Sequence, residues 1–193
     1  SAKFITAFFR APEVTEAVRD LLQQRDGLML GICNGFQALV KLGLVPYGDI
    51  RPMDDECPTL TFNTIGRHQS RLVRTRVASN LSPWLSQCEP GDIHTVAISH
   101  GEGRFVCSPE LQHQLEVTGR IATQYVDEAG QPSMDWDVNP NGSVMAIEGI
   151  TSPDGRVLGK MGHVERRGDG LYKNVPGNKF MPLFESGVKY FTD

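Results

Sequence analysis

The stretch LMLGICNGFQ at residues 28–37 decides the fold of this chain. It opens with a short apolar run bounded by glycine, which is typical of a strand buried on both faces. From Asn34 to Leu42 the apolar residues follow helical spacing, and Gly43 supplies the residue that commonly ends a helix. The sequence therefore predicts a strand, a turn at Cys33 and then a helix.

Cys33 is the candidate nucleophile of this turn. Gly31 and Gly35 stand two residues to either side, as in a nucleophile elbow, where the backbone turns too sharply for larger neighbours. A helix N-terminus behind the sulfur offers a positive dipole and free N–H groups, which lower a thiol pKa and stabilise an oxyanion. An arbitrary cysteine after a strand is more often a buried core residue, but the two glycines favour the elbow.

His163 and Glu165 are a candidate base and orienting group. They lie two residues apart at the end of the predicted strand 156–161, so an extended backbone directs both side chains to the same side. A cysteine needs a base to form its thiolate, and the base needs a group that holds its tautomer. Read alone, the segment more often forms surface salt bridges with Arg166 and Arg167. Read with Cys33, it predicts a catalytic triad.

The rest of the chain predicts further strands and helices. Helices are expected from Pro12 to the turn at 26–27, from Ser108 with Pro109, and over 180–191. Strands are expected at 59–62, 71–77, 93–99, 121–126, 143–151 and 156–161, the last two as a hairpin. We therefore expect one α/β domain over 1–193, with a mainly parallel central sheet, helices on both faces and the nucleophile at the carboxyl end of a strand.

Composition limits the classes of partner. The chain has 193 residues, of which 39% are hydrophobic and 22% charged, as in soluble globular proteins. A formal net charge of -4 provides no basic surface, so neither nucleic acid nor an anionic membrane is expected as a partner. No apolar run approaches the roughly 20 residues of a membrane span, and the N-terminus does not resemble a signal peptide. We therefore expect a cytoplasmic protein.

No metal site is predicted. The four cysteines have no zinc-ligand spacing with one another or with His68, His94 and His113. Residues 137–148 fit the calcium-loop pattern of an EF-hand, but that motif requires a helix on each side. Here the loop leads into a predicted strand, so a turn before a buried strand is the better interpretation.

Three motifs resemble the glutamine-hydrolysing domain of phosphoribosylformylglycinamidine synthase, a class I glutamine amidotransferase of purine biosynthesis. GICNGFQ at 31–37 resembles its nucleophile motif, and SHGEGRF at 99–105 resembles its loop beside the glutamine pocket. VLGKMGHVER at 157–166 resembles its His/Glu strand end. The motifs occur in the family's order and cover nearly the whole chain, so the resemblance implies a flavodoxin-like, class I amidotransferase-like fold.

The resemblance also implies a reaction. Cys33 would attack the side-chain amide of glutamine, and the thioester that forms would later be hydrolysed with His163 and Glu165 as base and orienter. The residues implied as contacts of the substrate or oxyanion are Asn34, Gln37, His100, Gly101 and Glu102. Ammonia would pass to an ATP-dependent synthase domain or subunit. ATP and Mg²⁺ are implied for that partner, and no cofactor is implied for this chain.

Two departures from the family pattern keep alternatives open. Gly162 and Val164 flank His163 where family proteins often have proline, as expected of a distinct branch with a fused, single-chain architecture. Nothing matches the family's N-terminal strand and oxyanion loop, so the chain resembles the C-terminal part of a larger synthase without that segment. The alternatives are a cysteine hydrolase of the same superfamily, acting on peptides or aldehydes, and a catalytically silent module that binds glutamine. The hydrolase would lack Gln37 and the His100 loop.

Overall fold

The computed structural model describes residues 2–192. The helices are α1 (Ala2–Phe9), α2 (Pro12–Arg19), α3 (Asn34–Leu42), α4 (Leu44–Tyr47), α5 (Pro109–Val117) and α6 (Leu183–Lys189). The strands are β1 (Met29–Ile32), β2 (Thr59–Thr61), β3 (Gln69–Val77), β4 (Ile93–His100), β5 (Arg104–Val106), β6 (Ile121–Tyr125), β7 (Ile147–Thr151) and β8 (Val157–Lys160). A π-helical turn at Asp20–Gln24 extends α2, and 3₁₀ turns lie at Pro83–Leu85 and Val144–Ala146.

A six-stranded sheet with the order β1-β8-β7-β6-β3-β4 forms the centre, and β2 pairs with β5 separately. The α/β class is confirmed. The expected mainly parallel sheet is met only loosely, since β1 and β8 run parallel and the other neighbouring pairs among the described strands are antiparallel. The β7–β8 pair is antiparallel because the tight turn at 152–156 reverses the chain, whereas a parallel pair needs a long crossover.

Apolar side chains cover both faces of the sheet. On one face, helices α3 and α5 contribute residues such as Phe36 and Leu115 to a buried cluster. On the other face, α6 contributes Leu183 to a second cluster. Val157 and Leu158 are neighbours in β8 and belong to opposite clusters, as the alternation of side chains along a strand requires. Helices therefore lie on both faces of the sheet, as predicted.

Several boundaries differ from the sequence prediction. Residues 143–146 were expected to be strand but form a turn in which Met145 and Ala146 have φ of 52° and 54°. Helix α6 begins at Leu183 rather than at residue 180. Strand β5 (Arg104–Val106) was not predicted from the sequence. Glu148 lies within β7, between a turn and the next strand, where an EF-hand would place its second helix.

The parallel pair positions the candidate site. In its register Ile32 of β1 stands opposite Lys160 of β8, so both strands end at the same edge of the sheet. Cys33 follows β1 directly, and its backbone N–H donates to the carbonyl of Lys160 at 2.9 Å. His163 follows β8 three residues later. The fold therefore brings together two residues that are 130 positions apart in sequence (163 minus 33).

Candidate active site

The backbone at Cys33 forms a sharp elbow between β1 and α3. Its φ of 54° and ψ of -106° lie in a region that residues with side chains rarely adopt. A Cβ added to Gly31 would lie 2.6 Å from the backbone of Gly35 and from Leu39 Cδ1, whereas a Cβ added to Gly35 meets nothing within 4 Å. The structure therefore corrects the expectation that both glycines are sterically required: only Gly31 is.

The Cys33 thiol is in an environment that favours its neutral form. Burial raises its pKa, the Asn34 N–H and the Arg166 charge lower it by smaller amounts, and the Glu165 charge raises it. The expectation that the helix N-terminus lowers the thiol pKa overall is therefore wrong, because desolvation outweighs the N–H group. The sulfur lies 3.8 Å from the carbonyl oxygen of Ser99. A nucleophilic thiolate at this position needs a base.

His163 has the environment of an oriented base. Its Nδ1 lies 2.5 Å from Glu165 Oε1, and its backbone N–H donates to the carbonyl of Ala97 at 2.8 Å. Nε2 is buried and has no hydrogen-bond partner within residues 2–192. Arg167, expected in the alternative reading to pair with this segment, instead lies 3.1 Å from Glu185. The arrangement leaves one ring nitrogen held by a carboxylate and the other available for a proton.

A single cavity of about 740 Å³ contains most of the predicted site residues. Its lining includes Cys33, Asn34, Gln37, His100, Gly101, Glu102 and His163. Glu165 does not line it and reaches it through His163. The lining also includes the basic Lys3, Lys41 and Arg166 together with the acidic Glu102. It therefore offers charges of both signs, as a ligand with an ammonium and a carboxylate group would need.

The loop at 100–103 forms one wall of this cavity. Gln37 donates from Nε2 to the carbonyl of Glu102 at 2.5 Å, which ties α3 to the loop. His100 is 4% exposed, neither ring nitrogen has a partner within residues 2–192, and burial lowers its pKa to about 4. The imidazole is therefore neutral at pH 7, with one N–H donor and one acceptor nitrogen.

Sequence reasoning missed the buried residues that hold this loop. Asn63 is 2% exposed and donates from Nδ2 to the carbonyl of His100 at 2.9 Å, while its Oδ1 accepts from the Gly103 N–H at 3.1 Å. Ser143 donates from its hydroxyl to the carbonyl of Gly103 at 3.2 Å. Glu148 and Lys160, beneath His163, were missed as well. The available signal for Glu148 and Lys160 was a single charged residue inside an apolar strand.

Neither a metal cluster nor a membrane-spanning helix is found among residues 2–192. Within residues 2–192 no cluster of at least three His, Cys, Asp or Glu side chains is arranged to hold a metal ion. The helices in this part of the chain are too short or too polar to cross a membrane.

Comparison with known proteins identifies relatives over nearly the full length. Residues 1–191 match the family described as CobB/CobQ-like glutamine amidotransferase domain. The chain is 36% identical over 167 residues to phosphoribosylformylglycinamidine synthase subunit PurQ of Synechococcus sp., covering 86% of this chain and 64% of that protein. It is 35% identical to the subunit of the same name from Symbiobacterium thermophilum, covering 95% of this chain and 70% of that protein.

A solved structure gives the same relationship. The structure of PurLQS from Thermotoga maritima superposes with a TM-score of 0.67 at 25% identity, covering 96% of this chain and 71% of that chain. The match to the Synechococcus protein, at 64% of its length, spans less than two thirds of that relative.

Proposed function

The chain belongs to the CobB/CobQ-like glutamine amidotransferase domain family, and we propose that it hydrolyses glutamine to glutamate and ammonia with Cys33, His163 and Glu165. One observation carries the proposal: Cys33 at a strained elbow and His163 with an unpartnered Nε2 line the same cavity. Family membership leaves the peptide or aldehyde hydrolase without support. The silent glutamine-binding module remains the alternative that experiment must exclude.

The proposed reaction begins with proton transfer. His163 Nε2 takes the proton of the Cys33 thiol as the sulfur attacks the side-chain amide carbon of glutamine. The Asn34 N–H, which already lowers the thiol pKa, stabilises the negative oxygen of the tetrahedral intermediate. His163 then gives its proton to the departing ammonia. Water, deprotonated by His163, hydrolyses the thioester and releases glutamate, and Glu165 holds the imidazole throughout.

The cavity charges suggest how the amino acid is held. Glu102 is the acidic residue of the lining, and we assign it to the α-ammonium group of glutamine. Lys41 and Arg166 are candidates for the α-carboxylate. The neutral His100 and the backbone at Gly101 complete the wall that would face the substrate. Gln37 acts mainly by fixing the Glu102 backbone, because its amide is already engaged there.

The relatives suggest where the ammonia goes. They are named as subunits of phosphoribosylformylglycinamidine synthase, so the proposed acceptor is formylglycinamide ribonucleotide in purine biosynthesis. An ATP-dependent synthase domain or subunit, with ATP and Mg²⁺, would perform that step in the cytoplasm.

The experiment compares two nitrogen donors in the intact protein with its synthase partner. We expect Cys33→Ser to abolish amidine formation with glutamine but to retain it with ammonium salts. Cys107→Ser, a cysteine outside the cavity lining, is the control and should retain both. Glutamine-dependent synthesis by Cys33→Ser would contradict the proposal. A wild-type protein that binds glutamine but uses only ammonium would favour the silent module.

A further inference from the structure

A buried ion pair lies directly beneath the backbone that leads into His163. Lys160 Nζ and Glu148 Oε1 are 3.0 Å apart, and both side chains are completely buried. Glu148 Oε1 also accepts from the Gly162 N–H at 2.5 Å, and Lys160 Nζ donates to the Gly162 carbonyl at 3.1 Å. The pair thus satisfies both backbone polar groups of the residue before His163.

The ion pair and Val96 leave no room for a side chain at Gly162. A Cβ at this position would lie 2.7 Å from Val96 Cγ2, 2.8 Å from Glu148 Oε1 and 3.2 Å from Lys160 Nζ. Only glycine therefore allows the pair to approach the backbone so closely. Glycine is also the residue that restricts its own backbone least. The conformation of the segment before His163 must therefore be fixed by its surroundings.

Glu148 also makes hydrogen bonds to residues other than Gly162 and Lys160. Glu148 Oε2 accepts from the hydroxyl of Thr123 in β6, and the Glu148 carbonyl accepts from the Met161 N–H at 3.1 Å. Burial alone would raise the pKa of Glu148, but the Lys160 charge and the hydrogen bonds from Thr123 and Gly162 lower it overall. Glu148 is therefore ionised at neutral pH, and its two oxygens link β6, β8 and the segment before His163.

Stability alone does not account for such a pair. Apolar residues of similar volume can commonly replace a buried ion pair with little loss or with a gain in stability, because removing both charges from water costs free energy. The pair instead fixes the orientation of one peptide segment. Glu148 accepts from the Gly162 N–H, and Lys160 donates to the Gly162 carbonyl. The next N–H, that of His163 itself, is held by Ala97. The imidazole position is thus set by consecutive backbone contacts.

We propose that Glu148, held in place by its charge partner Lys160, is a positioning residue: its oxygen fixes the Gly162 N–H so that the His163 imidazole faces Cys33. This inference rests on the proposed role of His163 as the base. It predicts that the acceptor for the Gly162 N–H matters more than the charges themselves, because the acceptor is what fixes the backbone.

Two double variants of the intact protein, assayed with its synthase partner, separate these contributions. Glu148→Leu with Lys160→Met removes the charges and the acceptor, while Glu148→Gln with Lys160→Met removes the charges but keeps a side-chain oxygen. We expect the first to lower kcat for glutamine hydrolysis by about tenfold to a hundredfold, a loss typical of supporting residues, with little change in KM. The second should retain most of kcat. Equal kcat values in the two folded double variants would overturn the proposal.

Further measurements keep the outcome decisive. If the leucine–methionine variant does not fold, Glu148→Asp withdraws the acceptor while keeping the charge, and an unchanged kcat there overturns the proposal. Crystal structures of the two double variants show the position of the His163 imidazole independently of catalysis. An imidazole displaced only in the variant that lacks the acceptor supports the proposal. An imidazole that is unmoved in both variants overturns the proposal. Absence of ammonia release by the wild-type protein would instead count against the proposed function alone.

Discussion

His163 Nδ1 lies 2.5 Å from Glu165 Oε1, although the Glu165 side chain is 42% exposed. Neutralising a buried orienting carboxylate can cost about 10⁴-fold in kcat, and solvent screening at Glu165 reduces the effect. We therefore expect Glu165→Gln to lower kcat by roughly a hundredfold. Ammonia release at saturating glutamine measures it, with Cys33→Ser as the reference for complete loss. An unchanged rate in Glu165→Gln would remove Glu165 from the proposed triad.

The two glycines around Cys33 should respond differently to the same substitution. Gly31→Ala places a Cβ 2.6 Å from Gly35 and Leu39, so we expect a loss of about 1–3 kcal/mol in the free energy of unfolding, as for other overpacked sites. Gly35→Ala enters open space within a helix and should be neutral or stabilising by up to about 1 kcal/mol. Urea unfolding of both variants measures this. Equal losses would show that the elbow needs both glycines.

The positive φ of Cys33 predicts stored backbone strain. A side chain at φ of 54° costs of order 1–3 kcal/mol, which glycine avoids. Cys33→Gly should therefore be more stable than Cys33→Ala by about 1 kcal/mol, after the greater unfolded-state entropy of glycine is subtracted. Both variants lack the thiol, so its own contribution to stability is absent from the comparison. A Cys33→Gly protein less stable than Cys33→Ala would argue against strain at this position.

His100 makes stability depend on pH. Its pKa falls from 6.5 in the unfolded chain to about 4 in the folded protein, because burial disfavours the charged ring. The unfolded state therefore binds the proton more readily, and stability is lost as the pH drops below about 6.5. From pH 7 to pH 5 the loss due to His100 is about 2 kcal/mol.

His100→Gln should abolish that part of the pH dependence. Burial also lowers the pKa of His94, which contributes to the pH dependence of stability in both proteins. The difference between wild type and variant therefore reports His100 alone. Urea unfolding at the two pH values gives the measurement. If the variant loses as much stability as the wild type between pH 7 and pH 5, His100 does not titrate as described.

The sequence predicted the local elements of the site well. The run before Cys33 and the helical spacing after it gave β1 and the full bounds of α3, because both depend on short-range apolar periodicity. The motif resemblance gave the class I amidotransferase-like fold, which the structural likeness to PurLQS bears out. The cavity also gathers the predicted contact residues, although their roles remain proposals.

Properties that depend on distant parts of the chain were not predictable in the same way. Strand direction in the sheet follows from connections and tertiary packing, so the mixed sheet was not foreseen. The depth of burial at Cys33 decides its thiol pKa, and no local pattern reports that depth. The partnership of Glu148 with Lys160 depends on the register of β7 against β8. Each residue alone was only an unexplained charge in an apolar strand.

Covalent labelling tests the central claim most directly. The intact protein is treated with a chloroketone analogue of glutamine and its cysteine peptides are mapped by mass spectrometry. Cys33 lines the cavity, whereas burial raises the pKa of Cys88 and Cys107 to about 11 and none of the other three cysteines lines it. We predict that Cys33 alone is labelled, that excess glutamine slows the reaction and that His163→Asn slows it further. Equal labelling of Cys57, Cys88 or Cys107, or protection of Cys33, would contradict its assignment as the nucleophile.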